Sequence, residues 1–330
     1  TMKKVNLGTS GEQVSEFCLG TMNFADRCDF RATDRIVNEA LNLGINFFDT
    51  APMYSDGKCE EFLGKILKRN RKKVFIATKV HKGIDRKSLL ESIDASLSRL
   101  QTDYVDLFLI HWPVPEMNVL EVMGTLNEIV ESGKSRFVGC SNYPAWLFAH
   151  SNQIAANNNW AKLICNSIPY NLFERGVEIE ILPQAAAEGF AINPYRVLAI
   201  GLLTGRYNKA STIPQNTRGL TDSRVITWYS QYKNNLDHFI KYAAEKNESP
   251  STLAIAWVRH NKAVTCPIVG VYEVQQLIEL MPAFDFELHD DEFYQISRIF
   301  NTEVREEGLQ EFPGLNYNFP KLRRNLNFLG

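Results

Sequence analysis

Asp49, Lys79 and His111 each end a run of apolar residues, INFFD, VFIATK and DLFLIH, and Tyr54 follows Asp49 closely in FFDTAPMY. A carboxylate, an ammonium, an imidazole and a phenol brought together can move a proton. Pairing Asp49 with Lys79 leaves neither charge bare in apolar surroundings. An ammonium beside the phenol favours phenolate, so the Tyr54 pKa is expected to fall from its ordinary value of about 10. Such a tyrosine acts as a general acid near neutral pH, with His111 hydrogen-bonding the same substrate oxygen and orienting it. Each residue alone also has an ordinary structural reading: a half-buried histidine, an ion pair, a tyrosine anchoring a loop. It is their placement at successive strand ends that points to chemistry.

The elements that must position them alternate. VNL and QVSEF flank a glycine-containing turn and predict a β-hairpin. Helical spacing in FRATDRIVNEALNLG precedes the strand INFFDT, and helix CEEFLGKILKRN precedes strand KVFIATK. The pattern continues through KSLLESIDASLSRL, VDLFLIH, VLEVMGTLNEIVESG, SRFVGCS, AWLFAHSNQIAANN, LICNSIP, EIEILPQAAAEG and FAINPY. After an irregular stretch come the helix SPSTLAIAWVRHN, the strand VTCPIVG and the helix EVQQLIEL. Apolar strands alternating with helices indicate parallel βαβ units. The chain has 19 glycines but no G-x-G, so the phosphate turn of a doubly wound sheet is missing. The expected fold is α/β: one (β/α)8 TIM barrel over residues 1–330, with an N-terminal β-hairpin and a C-terminal extension from about residue 300. Barrel chemistry sits at the C-terminal strand ends, which here carry Asp49, Thr50, Lys79, His111, Ser141, Asn142, Asn166, Tyr195 and Gly270.

Composition narrows the partners. With 45% hydrophobic and 22% charged residues the chain can bury a full core. Its 36 basic and 38 acidic side chains leave a net charge of −2, which offers no field for nucleic acid or an anionic membrane. A small, mostly neutral ligand fits better. No run approaches the roughly 18 apolar residues of a membrane span, and the first residues show no apolar leader. The 6 cysteines lack a C-x-x-C spacing and lie largely in apolar runs, which predicts free thiols, a reducing cytoplasmic setting and no metal site. From Phe312 onward the tail carries Leu315, Tyr317, Phe319, Leu322 and Phe328 and is expected to dock on the barrel or on a second copy in a homo-oligomer.

Taken together, FFDTAPMY, IATK, DLFLIHWP, GKSRFVGCSNY, GLLTGRY and PIVG resemble, in order, the motifs of the aldo-keto reductases, from about Lys3 to Glu279. The short loop after His111 is similar to the sugar-reductase and aryl-alcohol-dehydrogenase-like branches. The resemblance implies NADPH-dependent reduction of a carbonyl substrate, with NAD less favoured and no Rossmann domain. It implies Asp49, Tyr54, Lys79 and His111 as catalytic. For the cofactor it implies Gly20, Thr21, Met22, Asp49, Ser141, Asn142, Asn166, Tyr195 stacked on the nicotinamide, Ile200 and Leu202. Arg206, Arg218, Gly270, Tyr272, Gln276 and Glu279 follow toward the phosphates and adenosine. Phe24, Tyr54, His111 and Trp112, with Trp228, are expected to line the substrate mouth. The chain departs from the family pattern at Arg196, Val197 and Leu198, where Ser-Pro-Leu is common; all three are still expected along the cofactor, with Arg196 meeting pyrophosphate or substrate. Tyr272 and Leu280 likewise replace the usual polar residues. Two other functions stay open at this point: a Schiff-base lyase using Lys79, and a cofactor-binding auxiliary subunit.

Overall fold

Gly8 turns the first hairpin and shows how tightly the chain closes on itself. Strands β1 (Lys4–Asn6) and β2 (Gln13–Ser15) pair antiparallel, with Val5 opposite Val14. Gly8 holds φ +56°, and a Cβ there would come 2.8 Å from the backbone nitrogen of Ala191. Leu7 and Val14 are fully buried against the interior residues of the main sheet. The hairpin therefore plugs the end of the barrel where strands begin. These details come from a computed structural model, which describes residues 2–80, 82–208 and 217–300, with Arg218 described by its backbone alone.

Eight parallel strands make the wall. They are β3 (Cys18–Gly20), β4 (Phe47–Asp49), β5 (Phe75–Val80), β6 (Val105–Ile110), β7 (Ser135–Ser141), β8 (Leu163–Ser167), β9 (Ala191–Ile192) and β10 (Ile268–Gly270). Their order is β10-β3-β4-β5-β6-β7-β8-β9. The seam between the two ends is closed by a parallel bridge from Ile192 to Val264, by Thr265 N–H on Ile192 O at 2.8 Å, and by Ile268 N–H on Pro194 O at 2.7 Å. The expected (β/α)8 barrel is thus present.

Helices α1 (Phe30–Asn42), α2 (Lys58–Leu67), α3 (Arg86–Leu100), α4 (Val119–Glu131), α5 (Ala145–Asn158) and α6 (Ile181–Glu188) follow the first six barrel strands. Then come α7 (Ser223–Glu245), α8 (Pro250–His260), α9 (Val274–Leu280), α10 (Pro282–Asp285) and α11 (Asp290–Phe300). Asp29, Asp85, Asn118, Asp222 and Ser249 cap helix N-termini with side-chain oxygens, satisfying otherwise orphaned N–H groups. Pro250 opens α8, where its missing N–H costs nothing. None of the described helices is long and apolar enough to cross a membrane.

Two differences from the sequence reading matter. The stretch expected to be irregular contains α7, 23 residues long, and further helices follow α9. Phe293 of α11 stacks on Trp257 of α8 at 5.4 Å, and Trp257 Nε1 donates to Ser297 at 2.8 Å, so this segment seals the α8 side of the core. All six cysteines are free and buried, as expected. The tail from Phe312, expected to dock on the barrel or on a second copy, lies outside the described residues.

Candidate active site

Strand alternation decides which polar residues meet. Phe47, Phe75, Ala77, Leu107 and Leu109 pack in the barrel interior, whereas Phe48, Ile76, Phe108 and Ile110 face the helices. Asp49 continues the inward parity of Phe47, Lys79 that of Ala77, and His111 that of Leu109. Parallel register sets Lys79 beside Leu109 and Asp49 beside Ala77. All three polar residues thus reach the top of the interior, and all are buried.

Lys79 Nζ donates to Asp49 Oδ1 at 2.7 Å and to Thr50 O at 2.9 Å. The same nitrogen lies 5.2 Å from the centre of the Tyr54 ring. Tyr54 meets His111 edge to face, with ring centres 6.3 Å apart, and Trp112 stacks beside His111 at 5.9 Å. The loop after Asp49 folds Tyr54 back over the strand ends. It is held by Tyr54 N–H on Ala51 O at 3.1 Å and by a turn, Tyr54–Gly57, in which Ser55, Asp56 and Gly57 all have positive φ.

The electrostatics correct one expectation. Burial is the leading effect on Tyr54 and raises its pKa; the Lys79 charge pulls the other way without winning. Burial likewise pushes the Asp49 carboxyl up against the pull of Lys79. Burial also works to discharge Lys79, but Asp49 and Tyr54 outweigh it and hold the ammonium above its ordinary value. Lys79 is therefore a fixed cation at the site. A Schiff base needs a neutral amine, and this environment opposes one.

Further round the rim, Ser141 is buried and its hydroxyl has no hydrogen-bond partner among the described residues. Asn142 (φ +61°) donates to His111 O at 3.0 Å and accepts from the Tyr195 hydroxyl at 2.7 Å. Asn166 is fully buried, with its carboxamide engaged at both ends by the Tyr143 backbone. Val197, Ile200 and Leu202 pack into the outer core, Leu198 lies against it, and Ile200 keeps a strained φ of +58°.

On the opposite side Gly20 and Gly270 face each other across β3 and β10. Thr21 donates its hydroxyl to Asp49 O at 3.0 Å, and Met22 is exposed. Arg206 donates to the Tyr272 hydroxyl, and the Arg27 guanidinium lies 5.5 Å from the same ring. Gln276 accepts the Tyr272 N–H at 3.0 Å; Glu279 is exposed and accepts from Gln275 at 3.2 Å. Arg218 starts a short 3-10 turn. A cavity of about 380 Å³ opens between Met22, Asp26 and Arg27 and the start of α7 at Thr221, Asp222, Ser223 and Arg224.

Two of the aromatics expected at the mouth have packing partners of their own. Phe24 is fully buried in the outer core, where its carbonyl accepts from Ser55 at 3.1 Å and Cys59 at 2.8 Å, so it supports the Tyr54 turn from below rather than lining the mouth. Trp228 packs edge-on against Phe173 at 5.6 Å. Glu174, missed in the sequence, binds Arg196 at 2.6 Å; it stands in an aperiodic loop that carries no signal. Among the described residues no group of three or more His, Cys, Asp or Glu side chains is placed to hold a metal ion.

A model of the family described as Aldo/keto reductase family matches residues 16–301. An uncharacterized oxidoreductase of Bacillus subtilis is 31% identical over 319 residues, covering 91% of this chain and 96% of that protein. Versiconal hemiacetal acetate reductase of Aspergillus parasiticus is 32% identical, with 88% of this chain and 95% of that protein covered. A Schizosaccharomyces pombe protein, provisionally named as a voltage-gated potassium channel beta subunit, is 32% identical, with 85% and 87% covered. Since the family match runs through every strand of the barrel wall, the chain belongs to the aldo/keto reductases and is an NAD(P)H-dependent oxidoreductase.

Proposed function

We propose that the chain reduces an aldehyde or ketone to the alcohol, reversibly, with NADPH as its cofactor and Tyr54 as the proton donor. The observation that carries this reading is the meeting of Tyr54, His111 and the Lys79–Asp49 pair at one buried strand-end cluster. A bound NADPH supplies the hydride that the carbonyl carbon needs. The residues present fit that group. The orphaned Ser141 hydroxyl needs a polar partner, Tyr195 offers an aromatic ring, and Gly20 and Gly270 add no side chains of their own to that edge.

Tyr54 gives its proton as negative charge develops on the substrate oxygen. The Lys79 cation beside the ring favours the phenolate left behind, and Asp49 keeps that cation in place. His111 hydrogen-bonds the same oxygen and sets its direction. Tyr54, His111 and Trp112 would contact the substrate, a small carbonyl compound. We expect Tyr54→Phe to lower kcat by about 100- to 10,000-fold while leaving NADPH affinity nearly intact, because the proton is donated only in the chemical step. NADPH oxidation with aromatic aldehydes, dicarbonyls and sugars, followed by absorbance, measures this; retention of most of kcat removes Tyr54 as the acid.

The preference for NADPH over NADH is assigned to Arg206 or Arg218, standing in for the basic residue missing at Tyr272. Arg206 and Arg27 both bring positive charge to Tyr272. A charge-assisted contact to a phosphate contributes about 1.5–3 kcal/mol, or about ten- to a hundredfold in affinity. Equal dissociation constants for the two cofactors by fluorescence titration would remove this assignment.

A further inference from the structure

Asn142 and Arg196 stand at the exits of β7 and β9, both at positive φ, +61° and +57°, although neither is glycine. Such backbone persists where its surroundings over-determine it. One side chain joins the two: the Tyr195 hydroxyl donates to Asn142 Oδ1 at 2.7 Å and accepts from Arg196 Nη2 at 3.4 Å. The Arg196 guanidinium also lies 4.9 Å from the centre of the Tyr195 ring. Its other arm donates to Glu174 Oε1 at 2.6 Å, and the two side chains are only 11% and 13% exposed.

The loop carrying Glu174 is itself closed around this pair. Asn171 Nδ2 donates to Glu174 Oε2 at 2.8 Å and to Arg196 O at 3.1 Å, while Asn171 Oδ1 accepts from the N–H groups of Phe173 and Glu174. At the far end Asn142 Nδ2 holds His111 O at 3.0 Å. A continuous polar chain thus runs from Glu174 through Arg196, Tyr195 and Asn142 to the backbone of His111. The guanidinium, held by a carboxylate on one side and a hydroxyl on the other, is fixed in place by the protein itself. Beside the pyrophosphate or substrate contact expected of it, Arg196 thus has a second role.

We propose that Glu174 and Arg196 are positioning residues, which fix the ring of Tyr195 and, through its hydroxyl, the side chain of Asn142, so that the nicotinamide end of the cofactor meets a preset surface. This rests on the reductase reading above. In this role Glu174 acts through the chain it anchors.

The test is a double-mutant cycle on the full chain, with NADPH titrated by quenching of tryptophan fluorescence. Glu174→Ala and Tyr195→Phe are each expected to weaken NADPH binding by about tenfold, and the double variant to be no weaker than the worse single one, because both break the same chain. Glu174→Gln, which keeps an acceptor for Arg196, is expected to retain most of the affinity. Arg196→Lys loses the planar fork and is expected to weaken binding in the parent but not in the Tyr195→Phe background; it decides the matter if Glu174→Ala does not fold. Additive losses in the cycle, or unchanged affinity in both Glu174→Ala and Arg196→Lys, overturn the proposal while the reductase reading stands. If the unmodified chain does not bind NADPH, the cofactor reading itself fails and this one with it.

Discussion

At the scale of single residues, the balance between burial and charge at Tyr54 sets the expected pH behaviour. Burial raises its pKa and Lys79 only partly opposes it. A phenol with a raised pKa stays protonated through the neutral range, and the protonated form is the one that donates. Reduction should therefore hold a plateau through neutral pH and decline only above the ordinary phenol value of about 10. A kcat profile falling with a midpoint near 7 would name another group as the acid. The identities of these residues were legible because each charged or aromatic group ends or follows an apolar strand, and alternation then forces Asp49, Lys79 and His111 inward. The sign of the Tyr54 shift was not. It depends on how much of the phenol is buried, which the count of nearby charges does not reveal. Phe24 was misread for a similar reason: an aromatic after a strand has the same sequence context in a pocket wall as under a loop.

At the scale of elements, the turn Tyr54–Gly57 joins the proposed acid to the packing beneath it. Gly57 has φ +86°, and a Cβ on it would come 2.6 Å from Arg99 Cδ. Arg99 cannot simply move aside. Its Nε is bound to Glu60 at 2.6 Å, and Glu60, fully buried, also accepts from Thr78 at 2.6 Å. Thr78 precedes Lys79 on β5, so one buried carboxylate ties the tyrosine turn to the lysine strand. Gly57→Ala is expected to cost about 1–3 kcal/mol of stability through backbone strain. It should also lower kcat by about ten- to a hundredfold as Tyr54 shifts, with NADPH affinity little changed. Urea unfolding and steady-state kinetics measure the two effects, and an unaltered kcat in the folded variant would sever the link between turn and chemistry. Most elements were readable from period and caps, but α7 was not. Its stripe of Val225, Tyr229, Tyr232, Leu236, Phe239 and Ala243 has regular helical spacing, yet only four residues of the helix are apolar and buried. Tyr229 and Tyr232 are partly buried, and Tyr232 lies between Gln231 and Lys233. The stripe was present in the sequence, hidden because half of its members are aromatic or amphipathic.

At the scale of the whole molecule, the two ends of the barrel divide the work. The C-terminal end gathers the proposed catalytic groups, where barrels of this kind place their chemistry, and the N-terminal end is stoppered by the hairpin. Gly8 is the point where the plug meets the wall. At φ +56° an alanine is strained, and its Cβ would lie 2.8 Å from Ala191 N, 3.0 Å from Gly189 O and 3.2 Å from Ile164 O. All three are backbone atoms at the starts of β8 and β9, so no side chain can rotate away to make room. Gly8→Ala should therefore destabilise the fold by about 1–3 kcal/mol. The proposed reacting groups sit at the other end of the barrel, with the packed interior of Phe47, Phe75, Leu107 and Leu109 between. At a temperature where the variant is folded, kcat and KM should match the parent. Urea unfolding with activity measured on the same samples distinguishes the outcomes: lower stability with unchanged turnover fits a structural plug, whereas lost turnover with unchanged stability would mean that the hairpin reaches the site through the barrel core.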